Sequence, residues 1–285
     1  MNKLRPLLLA GILITLFSCE KEYSLENNGN LGSDQIVGID CRISKIVYTD
    51  TATNTGLGSL ATIINSLDIV TRITRFDSLS NTIEFISTPV HVNDTVYLNP
   101  DEYFIVDINK RIVKLHGLVD PTDPFSLQFD VFYQYNATGY LVAKNYFLTT
   151  APTVLFYQVT YTYSGGNLTH MSGTDISTGD LVTDADMNYF TNIIPKRYMY
   201  IFPDEKAYPH FNQFYNFGTR NYNAIRDIKV RNYDPGNVVR DSTVSTFSSY
   251  IMSRDSYVLS VQMGGDDQQS IPAQAGKLSF SYSCK

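Results

Sequence analysis

The sequence predicts an all-β protein: an antiparallel, strongly curved or barrel-like sheet, built from repeated hairpins and forming one domain over residues 36–285. Three observations carry this expectation. Apolar and polar residues alternate at period two, turns bearing Asn and Gly recur between the alternating runs, and aromatic residues are abundant while charged residues make up only 18% of the chain. Aromatic and β-branched side chains suit a pleated, half-buried surface, and sparse charge suits an exported β protein.

Taken in order, the chain begins with a leader. Lys3 and Arg5 precede an apolar run from Leu7 to Phe17. At about 1.5 Å per residue this run covers about half of a ~30 Å hydrocarbon core, so removal of residues 1–18 as a signal peptide is expected rather than a permanent span. Leu16-Phe17-Ser18-Cys19 resembles the bacterial lipobox, with Phe17 bulkier than the usual residue before the last small one. The resemblance implies diacylglycerol on the Cys19 sulfur and a further acyl chain on its new amine. Two or three chains hold a protein firmly on a bilayer where one does not, so the membrane is an expected partner through Cys19.

Residues 19–35 are polar, contain glycine and show no apolar period, as expected of a flexible tether. Glu20, Glu22 and Glu26, interrupted by Lys21, resemble the export signal of Bacteroidetes surface lipoproteins. The expected location is the outer membrane, lipid-anchored at the cell surface, with the periplasmic face as the alternative. The chain carries a formal net charge of −6, and loss of Lys3 and Arg5 with the leader makes it more acidic. That sign argues against nucleic acid as a partner.

The β domain is legible in its alternation. From Phe125 to Tyr135 every odd position is apolar or aromatic; Leu155, Tyr157, Val159, Tyr161 and Tyr163 repeat the pattern, as do Leu278, Phe280, Tyr282 and Cys284. One wet face favours antiparallel pairing. Strand ends share a signature of an aromatic or acidic residue, a short turn and an apolar restart. It occurs at Arg75-Phe76-Asp77 with Asn81, Val106-Asp107-Ile108-Asn109, Tyr135-Asn136-Ala137-Thr138-Gly139, Tyr163-Ser164-Gly165-Gly166-Asn167 and Tyr233-Asp234-Pro235-Gly236-Asn237. Phe76, Val106, Tyr135 and Tyr163 are spaced by 30, 29 and 28 residues, which predicts one hairpin per repeat. Asn and Gly supply the positive φ that tight turns need.

Tyr-Asp-Pro-Gly-Asn-Val, Tyr-Ser-Gly-Gly-Asn-Leu and the closing Leu278-Ser279-Phe280-Ser281-Tyr282-Ser283-Cys284 resemble the uncharacterised Bacteroidetes lipoproteins catalogued as DUF4595, and faintly the YD repeats of RHS-type shell proteins. The first resemblance implies a porin-like β fold and brings no activity or functional residues. The repeat is interrupted between about 175 and 225 by a stretch rich in aromatics, Asp and Pro, expected to be partly helical and partly loop. It either plugs the end of the curved sheet, the favoured reading, or forms a binding surface.

With Cys19 acylated, Cys41 and Cys284 remain in an oxidising compartment as a candidate disulfide, the alternative being two separate buried thiols. Each shares a strand face with apolar neighbours, so both are expected to point to the apolar side. His91, His116, His170 and His210 show no metal-ligand spacing, and no nucleophile motif accompanies them, so no metal, cofactor or catalytic residue is expected. Asp184-x-Asp186-x-Asn188 copies the start of a calcium loop but has Tyr189 where a glycine belongs. The expected function is a lipid-anchored, non-enzymatic binding module for a glycan or protein. The alternatives are a structural component of the envelope and, less favoured, a hydrolase.

Overall fold

The computed structural model describes residues 35–50, 55–65, 69–77, 81–118, 127–204, 211–265 and 276–284. The leader, Cys19 and nearly all of the tether lie outside these residues. The strands in chain order are β1 Arg42–Asp50, β2 Thr55–Ile64, β3 Val70–Asp77, β4 Thr82–Ser87, β5 Val90–Val92, β6 Thr95–Asn99, β7 Glu102–Val106, β8 Ile112–Leu118 and β9 Gln128–Tyr135. There follow β10 Leu141–Leu148, β11 Leu155–Ser164, β12 Asn167–Asp175, β13 Leu181–Tyr189, the single-turn helix α1 Phe211–Phe214, β14 Ile225–Asp234, β15 Val238–Met252, β16 Val258–Gly265 and β17 Gly276–Ser283.

All seventeen strands belong to one antiparallel sheet. Each strand pairs with the next in sequence except across one gap, and β1 pairs with both β2 and β17, so the sheet curls back on itself. No ladder joins β4 to β5 among the described residues, and the sheet is therefore not closed. The parity of the ring explains the gap. Direction reverses at every antiparallel ladder, and sixteen reversals lead from β5 round to β4, so β4 and β5 run the same way. Only Thr88 and Pro89 separate them. They are one strand broken at Pro89, which has no N–H to give a ladder; the lower part pairs with β3 and the upper part with β6. His91 on β5 crosses the break, its Nε2–H donating to the Val70 carbonyl of β3 at 2.9 Å.

Cys41 and Cys284 are joined by a disulfide spanning 243 residues. The β1–β17 register pairs Arg42 with Ser283, so the bridge occupies the next rung, at the rim where β1 begins. This is taken here as the upper rim. The expected orientation of the cysteines is corrected in part: Cys41 is buried, but Cys284 is exposed because β17 ends at Ser283, and Ile39, which precedes β1, is also exposed.

The interrupted stretch is shorter than expected. Residues 181–189 form β13, whose Ala185 and Met187 face inward while Asp184 and Asp186 face out, so the interruption runs only over residues 190–224. A ring of about sixteen strands is too wide for opposite walls to meet and leaves a channel unless something fills it. Here the described residues of this stretch, 190–204 and 211–224, enter from the upper rim and fill it. Tyr198, Met199, Tyr200, Ile201 and Phe202 are all buried in succession, which a strand with one wet face cannot achieve; this segment has wall on every side. Tyr198 packs edge-on against Tyr250 of β15 and Phe280 of β17, and Phe202 against Tyr161 of β11.

The returning half of the plug is laced to the rim. Ile112 N–H donates to the Asn216 carbonyl at the β7–β8 turn, Thr219 N–H to the Gly139 carbonyl at the β9–β10 turn, and Tyr222 N–H to the Gly166 carbonyl at the β11–β12 turn. Every third residue thus meets the next hairpin turn. Three extended residues span about 10 Å, and two strand spacings of about 4.8 Å span nearly the same, so a strap laid along the rim keeps step with the hairpins. Gly218 (φ 92°) lies where the strap crosses the β9–β10 turn; a Cβ there would stand 2.3 Å from the Gly139 carbonyl oxygen.

The repeat signatures do not share one rim as one hairpin per unit implies. The turns after β7, β9 and β11 lie at the upper rim, but those after β3 and β14 lie at the lower one. Three strand passes separate Phe76 from Val106 and Tyr163 from Tyr233, where two would restore the rim.

Candidate functional site

Between the plug and the wall from β1 to β8, the upper rim holds a cavity of about 630 Å³. The wall contributes Arg42 at the start of β1, Ile69 and Val70 before and in β3, His91 and Val96 beside the Pro89 break, and Val106 and Lys110 at the β7–β8 turn. The plug contributes Arg197, Tyr200, Gln213, Phe214, Tyr215, Asn216 and Arg220. Among the described residues no lining residue is acidic, although the chain as a whole is.

The plug side of the cavity is built round Tyr200. Its hydroxyl donates to the Gly218 carbonyl at 2.7 Å, the Gln213 Nε2 donates to its carbonyl at 3.1 Å, and the Arg220 guanidinium lies over its ring at 4.2 Å. Gln213 is 2% exposed, yet its Oε1 meets no donor, and the buried Arg220 Nε meets no acceptor. Tyr215 packs edge-on against Phe104. Burial pushes its phenol up, against the opposing charge of Arg42, which keeps it neutral.

The acidic groups of this rim are engaged elsewhere. Asp40 pairs with Arg197, and Asp107 binds Arg111 at 2.7 Å. Asp255 accepts from the Val37 and Gly38 N–H groups and from Ser253. Burial alone would raise the Asp255 carboxyl, but the bonds from Ser253, Gly38 and Val37 outweigh it and hold it at about 2. These bonds dock the segment leading back toward Cys19 on the same rim as the cavity.

A second charged group lies deeper. Lys144 of β10 is fully buried and pairs with Asp204 of the plug at 2.9 Å, and the Tyr161 hydroxyl donates to the same carboxylate at 2.7 Å. The ammonium also lies near the rings of Tyr133, Tyr161 and Phe202. These described partners come from the plug and its adjoining wall, so the group acts as a latch.

The histidines are dispersed. His116 bonds Asp130 and His170 bonds Asp186, each at 2.8 Å on the outer face, and no hydroxyl or thiol is bonded to either ring among the described residues. His210 lies outside them. Asp184 and Asp186 are bridged by Arg231, so the calcium-like triplet is an ion network on a strand. Among the described residues no three metal-ligating side chains converge.

Of the cavity residues, sequence reasoning named Val106 as a repeat anchor and His91 among the dispersed histidines, and singled out neither for a site. Arg42, Lys110, Arg197 and Arg220 share no motif or spacing, and the only available signal was the Tyr- and Phe-rich composition of the interruption.

No family model matches the chain, and no curated protein matches it. Solved structures do. A porin-like protein from Bacteroides uniformis ATCC 8492 superposes with a TM-score of 0.54 at 10% identity, covering 85% of this chain and 98% of that one. A porin-like protein from Bacteroides vulgatus ATCC 8482 gives 0.52 at 11% identity, covering 86% and 99%. At such identities the likeness is one of fold: this chain has the porin-like, antiparallel all-β architecture of these two proteins.

Proposed function

We propose that this protein is a lipid-anchored envelope protein that acts as a non-enzymatic binding module, with its ligand held in the cavity of the upper rim. The observation that carries the reading is a polar, unfilled cavity at the mouth of an otherwise plugged shell. A conduit would need an open interior, and here residues 198–202 occupy it. A membrane-spanning barrel would need an outward apolar band, whereas the outward positions of β12–β14 carry His170, Asp184, Asp186 and Arg231. The lipobox-like residues before Cys19 and the fold shared with Bacteroides proteins support an envelope location. Among the described residues the His116 and His170 rings bond only carboxylates, which supports binding over hydrolysis.

The test has two parts. Labelled palmitate should be incorporated by the wild-type chain and not by Cys19→Ser; equal labelling would sink the anchor. A ligand found on a glycan or peptide array should lose affinity when Tyr200, on the plug side of the cavity, is replaced by alanine. A ligand indifferent to Tyr200 would move the site elsewhere.

A further inference from the structure

We infer that the rim cavity takes a small hydroxylated anion, a hexuronate or a hexose phosphate. This rests on the binding reading above and names the ligand class for the same cavity. Its volume, about 630 Å³, is that of an ordinary small-molecule site. Among the described residues its walls carry cations and no carboxylate, in a protein whose net charge is negative. The composition of the chain therefore does not account for the local sign.

Two of the cations are uncommitted. Arg197 is held by Asp40, and the nearby carboxylates Asp107 and Asp255 bind Arg111 and the backbone of Val37 and Gly38. Lys110 and Arg220 have no carboxylate partner among the described residues. Arg220 is pre-oriented by its stack on Tyr200, and its buried Nε lacks an acceptor. A guanidinium fixed in this way binds a carboxylate or phosphate through its planar fork, at little cost in side-chain freedom.

The second half of the ligand follows from Gln213. Its amide nitrogen is used by the Tyr200 carbonyl, which fixes the side chain and leaves Oε1 as a buried acceptor without a donor. A buried donor and a buried acceptor left unmade are each costly, and within this cavity they do not satisfy one another. One molecule satisfies both if it presents an anionic oxygen to Arg220 and a hydroxyl to Gln213. Phe214 and Tyr215 also line the cavity and add apolar surface for the C–H groups of a sugar.

The experiment titrates the full chain in detergent micelles by calorimetry with galacturonate, glucose 6-phosphate, inorganic phosphate and neutral galactose. At least one of the first two should bind at least tenfold more tightly than galactose or phosphate, each of which offers only half of the ligand. Arg220→Gln should weaken that binding at least tenfold and Arg220→Lys less, because the charge remains and the fork is lost. Arg231→Gln, on the outer face, should leave it unchanged. Circular dichroism checks that the variants fold.

Galactose binding as tightly as galacturonate, and indifferently to Arg220→Gln, would overturn the anion while leaving the binding module standing. Phosphate binding as tightly as glucose 6-phosphate would overturn the hydroxyl requirement. Binding of the Cys19→Ser chain to phosphatidylglycerol vesicles, with none to the soluble anions, would assign the cations to a membrane surface and overturn the proposal. No binding by any probe, together with a Tyr200-dependent array ligand lacking an anionic group, would do the same.

Discussion

The two arcs of the wall treat the interior differently. From β10 to β17 the inward residues, among them Leu141, Val159, Leu168, Met171, Ile228, Tyr250 and Val261, are almost wholly buried around the described plug residues, 190–204 and 211–224. From β3 to β8 the wall also has buried members, Val70, Val96 and Ile112, but at the upper rim it presents Arg42 of neighbouring β1, His91 and Lys110 to a cavity. The difference lies in where the inserted chain reaches. The plug leaves β13 and returns to β14, and toward the break at Pro89 a cavity lies between it and the wall. A wide shell is dry where inserted chain fills it and polar where it does not, and a ligand site falls at the boundary.

Four predictions would break or sharpen this contrast. The largest concerns the join between the arcs. Replacing Cys41 and Cys284 by serine frees a closure of 243 residues, for which chain entropy gives an upper bound of about 5 kcal/mol. Guanidinium unfolding should show a loss of several kcal/mol; a loss below about 1 kcal/mol would mean that the β1–β17 ladder already holds the join.

Next is the latch in the dry arc. Lys144→Met leaves Asp204 buried without its cation, and such an orphaned charge costs about 3–5 kcal/mol. Adding Asp204→Leu should recover most of that loss. If the single and double variants unfold alike, the pair does not fasten the plug.

The strap is more modest. Gly218→Ala places a methyl against the Gly139 carbonyl at a positive φ, which should cost about 1–3 kcal/mol and loosen the upper rim. Hydrogen exchange should quicken first at Thr219 and Tyr222; unchanged protection there would count against the strap.

The smallest effect depends on pH. The Asp255 carboxyl is held at about 2, below the unfolded value of about 3.9, so its contribution is present above pH 4 and is lost as pH falls through 2. Asp255→Asn should therefore melt below wild type at pH 5, and the gap should narrow toward pH 2. A constant gap would assign the loss to packing.

The alternation at Phe129, Val131 and Tyr133, and at Leu278 and Phe280, was readable because a pleated strand with one wet face writes its period into the chain. The hairpin turns were readable for a local reason too: Asn81, Gly139, Gly166, Gly236 and Asn237 all have the positive φ their residue types permit. The plug was only half legible. Tyr198 to Phe202 are apolar without a period, because a segment surrounded on all sides has no wet face to mark. The count of cysteines offered Cys41 and Cys284 as candidates, while their adjacency required the sheet to curl until β17 met β1.

The sequence by itself determined that this chain is an antiparallel β protein, where most of its hairpins turn and which residues resemble a lipid attachment signal, since these depend on neighbours a few positions apart. Tertiary structure decided that β4 and β5 form one strand broken at Pro89, that residues 190–204 and 211–224 fill the shell, and that Arg220, Gln213 and Lys110 share a cavity. Those outcomes depend on the circumference of the ring and on contacts between residues about a hundred positions apart, and no local pattern encodes either.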